Sequence, residues 1–277
     1  MNGEDMDVPK IPLSSKTAIP QVGLGLWKVK KKDECKRAVK WALQAGYRHF
    51  DTAQIYGNEA YLGEALQEAK VDRSKVFITT KIWNDNQFWD EVIPSFEESL
   101  QNLQTDYVDL LLLHFPVTHL RRPAWKKMEE IYHSGRAKAV GVSNYTIRHL
   151  EELLAECSIK PAVNQVELHV FLQQPELVEF CQKNGIVVEA YSPLAHGHDM
   201  DDPVLQKLAK KYSKTTAQIM LRWCVEKGTV PLPKSVHEDR IKQNIDIFDF
   251  ELDSEDMEEL KGLDRNLRTC WDPTHVQ

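Results

Sequence analysis

A (β/α)8 barrel is the fold this sequence predicts, and three observations predict it. Short apolar stretches alternate with amphipathic helical ones from residue 22 almost to the end. Strand candidates such as VDLLLL and IVVEA run apolar instead of alternating, the pattern of parallel strands covered by helices on both faces. Counting VGLGL, eight such stretches fit into 277 residues, about the length one barrel of this type takes. No linker, low-complexity run or composition break interrupts the chain, so residues 1–277 are expected to form a single barrel domain.

Taken in order, residues 1–8 are polar and expected to be flexible. Residues 10–13 and 18–26 flank a Ser14-Ser15 turn, which reads as an N-terminal β-hairpin. VGLGLWK, Val22 to Lys28, is the first core strand with its loop. Its Gly23-x-Gly25 is half of a dinucleotide fingerprint: Lys28 occupies the third glycine's place, and no acidic strand end follows in register, so a Rossmann unit is excluded. Residues 33–45 place Cys35, Ala38, Val39, Ala42 and Leu43 on one helical face, with Asp33 as N-cap and Gly46 as stop. Further strands are expected at 47–51, 75–80, 107–113, 137–142, 162–167, 186–190 and 229–232. Helices are expected near 58–69, 90–103, 123–134, 146–156, 174–184, 203–212, 215–227, 238–245 and 254–262. Thr146 and Ser254 read as N-caps, Pro175 as a first helical residue, and Gly135, Gly185 and Gly228 as stops.

With 35 basic and 42 acidic side chains the net charge is −7, which gives no support to a nucleic-acid or anionic-membrane surface. The five cysteines are odd in number, lack a C-x-x-C, and read as free thiols, four of them among apolar helix positions. No metal site is expected, the His196-Gly-His198 pair having no further spaced ligands. The N-terminus lacks the basic and apolar regions of a signal peptide, and no apolar run approaches the roughly 20 residues that span a bilayer. A cytoplasmic monomer acting on a small molecule is the expectation.

The chemistry gathers at strand ends. HFD ends a strand on Asp51, with Tyr56 five residues on in the loop; VFITTK ends on Lys81; VDLLLLH ends on His114. Consecutive strands bring these ends together at the C-terminal rim, where barrel active sites lie. The set suits carbonyl reduction. As hydride adds to carbon, charge grows on oxygen, and a phenol with a reference pKa of about 10 is a protonated but sluggish donor. An ammonium at Lys81 would lower the Tyr56 pKa, Asp51 would compensate Lys81, and a neutral His114 would orient the carbonyl oxygen.

These residues resemble the tetrad of the aldo-keto reductases. GLGLWK, GYRHFDTAQIYGNE, TTKIW, DLLLLHFP, GVSNY, NQVELH, AYSPL and PLPKSVHEDRIKQN are similar to that family's segments, in its order. The resemblance implies Tyr56 as proton donor, Asp51 and Lys81 as its tuning pair, His114 as substrate-orienting group, and a nicotinamide cofactor, NADPH or NADP+. It assigns Ser143, Asn144 and Gln165 to the carboxamide and Tyr191 to stacking on the nicotinamide. Gly25, Trp27, Thr52, Ser192 and Leu194 would line the cofactor groove, and His196 and His198 fall in the loop over the pyrophosphate. Lys234, Ser235, Val236, His237, Arg240, Gln243 and Asn244 would form the 2′-phosphate and adenine end. His237 and Gln243 depart from the family's usual small hydroxyl residue and Glu; a protonated His237 would add a contact to the phosphate.

Trp27, Trp83, Phe115, His114 and Trp271 are the expected substrate wall. The short loop after His114 is similar to microbial and protist members such as 2,5-diketo-D-gluconate reductase and prostaglandin F synthase. A reductase dedicated to such a substrate is one alternative; a cofactor-binding regulatory subunit is the other.

Overall fold

The computed structural model describes residues 8–13 and 17–277; the seven residues before Val8 and the Ser14-Ser15 turn lie outside the described residues. β1 (Lys10–Pro12) and β2 (Ala18–Pro20) pair antiparallel as the expected hairpin. Eight strands then follow in sequence order around one parallel sheet. They are β3 (Leu24–Gly25), β4 (His49–Asp51), β5 (Phe77–Ile82), β6 (Val108–Leu113), β7 (Ala137–Ser143), β8 (Val163–Glu167), β9 (Val187–Tyr191) and β10 (Val230–Leu232). The ends of the sheet meet: Gly23 N–H donates to Pro231 O at 3.1 Å and Gly25 N–H to Pro233 O at 3.0 Å. A Cβ on Gly25 would stand 3.1 Å from Leu232 O, so the seam needs glycine for its close approach.

The covering helices are α1 (Lys32–Ala45), α2 (Glu59–Glu68), α3 (Val92–Leu103), α4 (Arg121–His133), α5 (Ile147–Leu154), α6 (Pro175–Lys183), α7 (Pro203–Tyr212), α8 (Thr216–Glu226), α9 (Glu238–Ile245) and α10 (Ser254–Lys261). Their buried faces, with Val39, Leu62, Phe96, Met128, Leu150 and Trp223, pack with Leu111, Leu113, Val140 and Val188 of the strands in one continuous core. Inside the barrel a second apolar cluster joins Leu13 and Ile19 of the hairpin to Phe77, Val163 and Val230, the first residues of β5, β8 and β10. The hairpin therefore covers the end where strands begin, which leaves the opposite rim open for chemistry.

Three local expectations change. Lys31, in extended conformation, precedes α1, and Asp33 lies in its first turn, where a carboxylate favours the helix dipole without capping. Asp253, not Ser254, caps α10: its side chain accepts from Asp256 N–H, and Asp256 reaches back to Asp253 N–H, a capping box. The first strand is only Leu24–Gly25, because Asn58 Nδ2 donates to Leu26 O and Val29 O, both at 3.0 Å, and draws the following chain into a loop. Thr146 caps α5, Pro175 begins α6, and Gly46, Gly135, Gly185 and Gly228 all take the positive φ that ends their helices. All five cysteines are free, three buried and Cys157 and Cys270 half-buried.

Candidate active site

Asp51 is the last residue of β4, and the chain leaves it through Thr52 into a single 3-10 turn, Gln54–Tyr56, closed by Gly57 at φ 65°. The turn is tied on two sides. Gln54 Nε2 donates to Ser95 O at 3.0 Å, and Gln54 Oε1 accepts from Trp83 N–H at 2.7 Å. Thr52 Oγ1 donates to Asn58 Oδ1 at 2.6 Å, so the residue that holds the first loop also holds this one. Tyr56 is thus carried over the barrel mouth on a fixed loop.

Lys81, fully buried on β5, places its ammonium 2.7 and 2.8 Å from the two Asp51 oxygens, 2.9 Å from Thr52 O and 3.4 Å from the Tyr56 hydroxyl. The short contacts spend the ammonium on Asp51. The downward pull of Lys81 expected on Tyr56 is outweighed here. Burial, and next the Asp51 charge, push the Tyr56 phenol well above its ordinary value. It holds its proton firmly, and Lys81 is its nearest cation.

His114 follows β6 directly. Burial and the Lys81 charge hold its imidazole well below the usual range, so it is neutral. Asn144 Nδ2 donates to its carbonyl at 3.0 Å, and its ring stands edge-on to Tyr56 at 5.7 Å and to Trp83 at 5.2 Å. Trp27 lies 4.8 Å from Tyr56, and Trp271 closes the group at 6.4 Å from Trp27, 5.8 Å from Trp83, 6.2 Å from His114 and 6.4 Å from Phe115. The other four expected wall residues therefore gather around the Tyr56 phenol and the imidazole of His114, the fifth. This arrangement can hold a small carbonyl between a proton-bearing hydroxyl and a neutral imidazole, with aromatic faces around it.

Trp271 is positioned from β8. Glu167 accepts from Thr269 N–H at 2.7 Å, Thr269 Oγ1 at 2.5 Å and Cys270 N–H at 3.1 Å. Although burial opposes it, hydrogen bonds from His169, Thr269 and Cys270 hold this carboxyl below the usual range. Further on, His149 Nε2 meets Val276 O at 3.0 Å, and Arg121 donates to Gln277 O at 2.6 Å. Sequence reasoning did not find this anchor; an acid in NQVELH, a strand otherwise without charge, was the available signal.

The residues expected to hold a nicotinamide carboxamide also converge. Asn144 bends the end of β7 at φ 64°; its Oδ1 accepts from Tyr191 OH at 2.7 Å, and its Nδ2 donates to Ser143 Oγ at 3.1 Å. Ser143 Oγ donates to Gln165 O at 2.8 Å. Gln165 Nε2 turns inward, 2.8 Å from Asp51 Oδ2 and 3.0 Å from Glu189 Oε2, so its Oε1 takes no part in this network. Ser192 and half-buried Leu194 continue from β9, where Ser192 Oγ lies 3.2 Å from His196 Nε2.

A second group forms at the start of α9, which leaves the same rim, since Leu232 is in register with Tyr191. Ser235 Oγ accepts from His237 N–H at 3.1 Å. Lys234, His237, Arg240 and Gln243 are exposed, Ser235 and Asn244 buried, and Val236 half-buried. Among the described residues neither Lys234 nor Arg240 has an ion-pair partner, although Lys242 pairs with Glu238 at 2.6 Å. Two uncommitted cations, a hydroxyl and a helix N-terminus fit a phosphate dianion. No hydrogen bond or ion pair joins this group to the tetrad among the described residues; the two would be linked by whatever spans them. A separate cleft of about 730 Å³ between α1 and α2, lined by Lys36, Arg37, Lys40 and Glu68 among others, holds none of these groups. No helix among the described residues is long and apolar enough to cross a membrane.

The Aldo/keto reductase family model matches residues 21–265. Glyoxal reductase of Bacillus subtilis is 44% identical over 266 residues, 96% of this chain and 96% of that protein. Methylglyoxal reductase of Escherichia coli O157:H7 is 42% identical over 267 residues, 95% of this chain and 96% of that one. Among solved structures, a Bombyx mori aldo-keto reductase in complex with NADP superposes with a TM-score of 0.91 at 36% identity, covering 98% of this chain and 99% of that one.

Proposed function

The chain belongs to the aldo/keto reductase family and is an NAD(P)-dependent oxidoreductase acting on carbonyls; from that premise we propose that it reduces small aldehydes and ketones with NADPH, Tyr56 giving the proton. One observation carries the reading: a protonated phenol, a buried Lys81–Asp51 pair and a neutral imidazole meet at the ends of three adjacent strands. NADPH, when bound, supplies the hydride.

The protein's own residues do the rest. The substrate oxygen sits between Tyr56 OH and the His114 ring, and as charge builds on it Tyr56 releases its proton. A phenol held well above its ordinary pKa gives up that proton only to a strongly basic oxygen, which an alkoxide in formation is. Lys81, 3.4 Å away, then faces a phenolate it can stabilise. Trp27, Trp83, Phe115 and Trp271 exclude water and confine the carbonyl. Their spacing supports compact substrates, and the glyoxal and methylglyoxal reductases among the relatives support α-dicarbonyls. Gln165, Ser143, Asn144 and the Tyr191 ring would seat the nicotinamide, and Lys234, Ser235 and Arg240 the 2′-phosphate.

The test follows NADPH oxidation by absorbance with a panel of carbonyls, wild type beside Tyr56→Phe. The hydroxyl's loss is expected to lower kcat by about 10²–10⁴, the usual worth of a positioned general acid. Turnover within tenfold of wild type would remove Tyr56 from the role, and a wild type that binds NADPH but turns over no carbonyl would overturn the function.

A further inference from the structure

Below the tetrad, the barrel interior holds an acid that carbonyl reduction as described does not use. Glu189, on β9, is fully buried, and a single carboxamide bridges it to Asp51: Gln165 Nε2 donates to Asp51 Oδ2 at 2.8 Å and to Glu189 Oε2 at 3.0 Å. The other Glu189 oxygen lies 3.5 Å from His49 Nε2, which lies 3.1 Å from Thr79 Oγ1. The groups facing Glu189 are thus Asp51 and His49 from β4, Lys81 and Thr79 from β5 and Gln165 from β8. β10, on its other side, brings apolar Val230 into register with it.

The charges do not balance if every group ionises. Lys81 is already committed to both Asp51 oxygens, and burial with the Lys81 charge lowers His49 to about 3, so the imidazole is neutral. A second carboxylate would then be a buried charge without a partner, which costs several kcal/mol. Burial, and next the Asp51 charge, push Glu189 up to about 8, so near neutral pH it carries a proton. Gln165 is then clamped between one carboxylate and one carboxylic acid, with its Oε1 turned away from both.

We propose that Glu189 is a positioning residue: as the neutral acid it fixes the Gln165 carboxamide and leaves one negative charge beside Lys81, and its deprotonation shuts the site down in alkali. A second negative charge one carboxamide away from Asp51 opposes formation of the Tyr56 phenolate. It therefore slows proton transfer without touching the substrate. The proposal rests on the reading of Tyr56 as the proton donor.

The experiment measures kcat/KM for a small dicarbonyl with saturating NADPH between about pH 7 and pH 9, in wild type and in Glu189→Gln, whose amide reproduces the shape of the neutral acid. If only the protonated form turns over, wild-type kcat/KM falls about tenfold across this range, as one group titrating near 8 dictates. Glu189→Gln is expected to change less than twofold between the same two points. Superimposable profiles would overturn the proposal. NADPH affinity, read from tryptophan fluorescence and independent of turnover, is measured alongside in Glu189→Ala. Freed of its clamp, Gln165 is expected to let Kd rise about tenfold; a wild-type Kd in this variant, shown folded by circular dichroism, would also overturn the proposal. A wild type that binds NADPH but turns over no carbonyl would overturn the proposed function, while the affinity measurement would still decide the role of Glu189.

Discussion

Replacing Lys81 by Met tests whether the buried pair is an electrostatic unit. Methionine keeps an unbranched apolar stem in a site with no exposed surface, and removes the ammonium that both Asp51 oxygens, Thr52 O and the Tyr56 hydroxyl share. Asp51 is left buried with Gln165 as its side-chain donor. Breaking a buried pair from one side costs about 3–5 kcal/mol. For a chain of this length the unfolding entropy is about 0.6 kcal/mol/K near the midpoint, so Tm should fall by about 5–9 °C. Activity should fall by roughly 10²–10³, the worth of one preorganised charge at a developing anion. The decisive sample is the double variant Lys81→Met with Asp51→Asn. With no buried charge left unpaired, it should recover about 2 kcal/mol or more over the single variant, melting about 3 °C higher, while staying inactive. Calorimetry and NADPH oxidation on the same preparations give both readouts. A double variant that melts no higher than Lys81→Met would refute the reasoning, because the two charges would then not be compensating each other.

Three further outcomes follow from the geometry. Arg240→Ala should weaken NADPH binding by about 1.5–3 kcal/mol, roughly ten- to a hundredfold, and leave NADH affinity within about twofold; equal losses for both cofactors in fluorescence titrations would place the 2′-phosphate elsewhere. Trp271→Ala removes about 1.5 kcal/mol of apolar contact, so KM for small carbonyls should rise roughly tenfold with a smaller change in kcat; an unchanged KM would remove Trp271 from the substrate wall. Glu189, raised from 4.5 to about 8, contributes stability that is fully present below the unfolded value and is lost as pH rises through the folded one. The Tm of Glu189→Gln relative to wild type should therefore increase from about pH 5 to pH 8 and then level off; a constant difference would show that Glu189 ionises normally.

The barrel was legible because its signals are local. Runs such as VDLLLL mark strands buried on both faces, and glycines at 46, 135, 185 and 228 mark helix ends with a backbone geometry no side chain suits. Asp51, Lys81 and His114 were legible for the same reason, each standing where an apolar stretch stops, and Tyr56 by its place in the loop that follows Asp51. What stayed hidden depends on partners distant in sequence. The direction in which the Tyr56 pKa moves is set first by its burial and next by Asp51, which takes up the Lys81 ammonium through two contacts under 3 Å. Glu189 stood in plain view as an acid inside IVVEA, but its bridge to Asp51 runs through Gln165 and exists only once β4, β8 and β9 share one interior. The caps at α1 and α10 were misplaced because Asp33 and Ser254 are both good capping types by sequence; only the backbone at Lys31 and the reciprocal bonds at Asp253 decide.

The tail held by Glu167 has a consequence for how the enzyme comes into being. Trp271 reaches Trp27, Trp83, His114 and Phe115, residues that leave the ribosome long before it does. By then all eight strands have been made, and the seam between Gly23 and Pro231 can already be closed. A nascent chain can thus build its Lys81–Asp51 pair while the mouth above it still stands open to water. The last segment is held on the barrel by Glu167 and, further on, by His149 and Arg121. Closure of the barrel and placement of Trp271 thus rest on separate contacts, the second made by a tail outside the barrel strands.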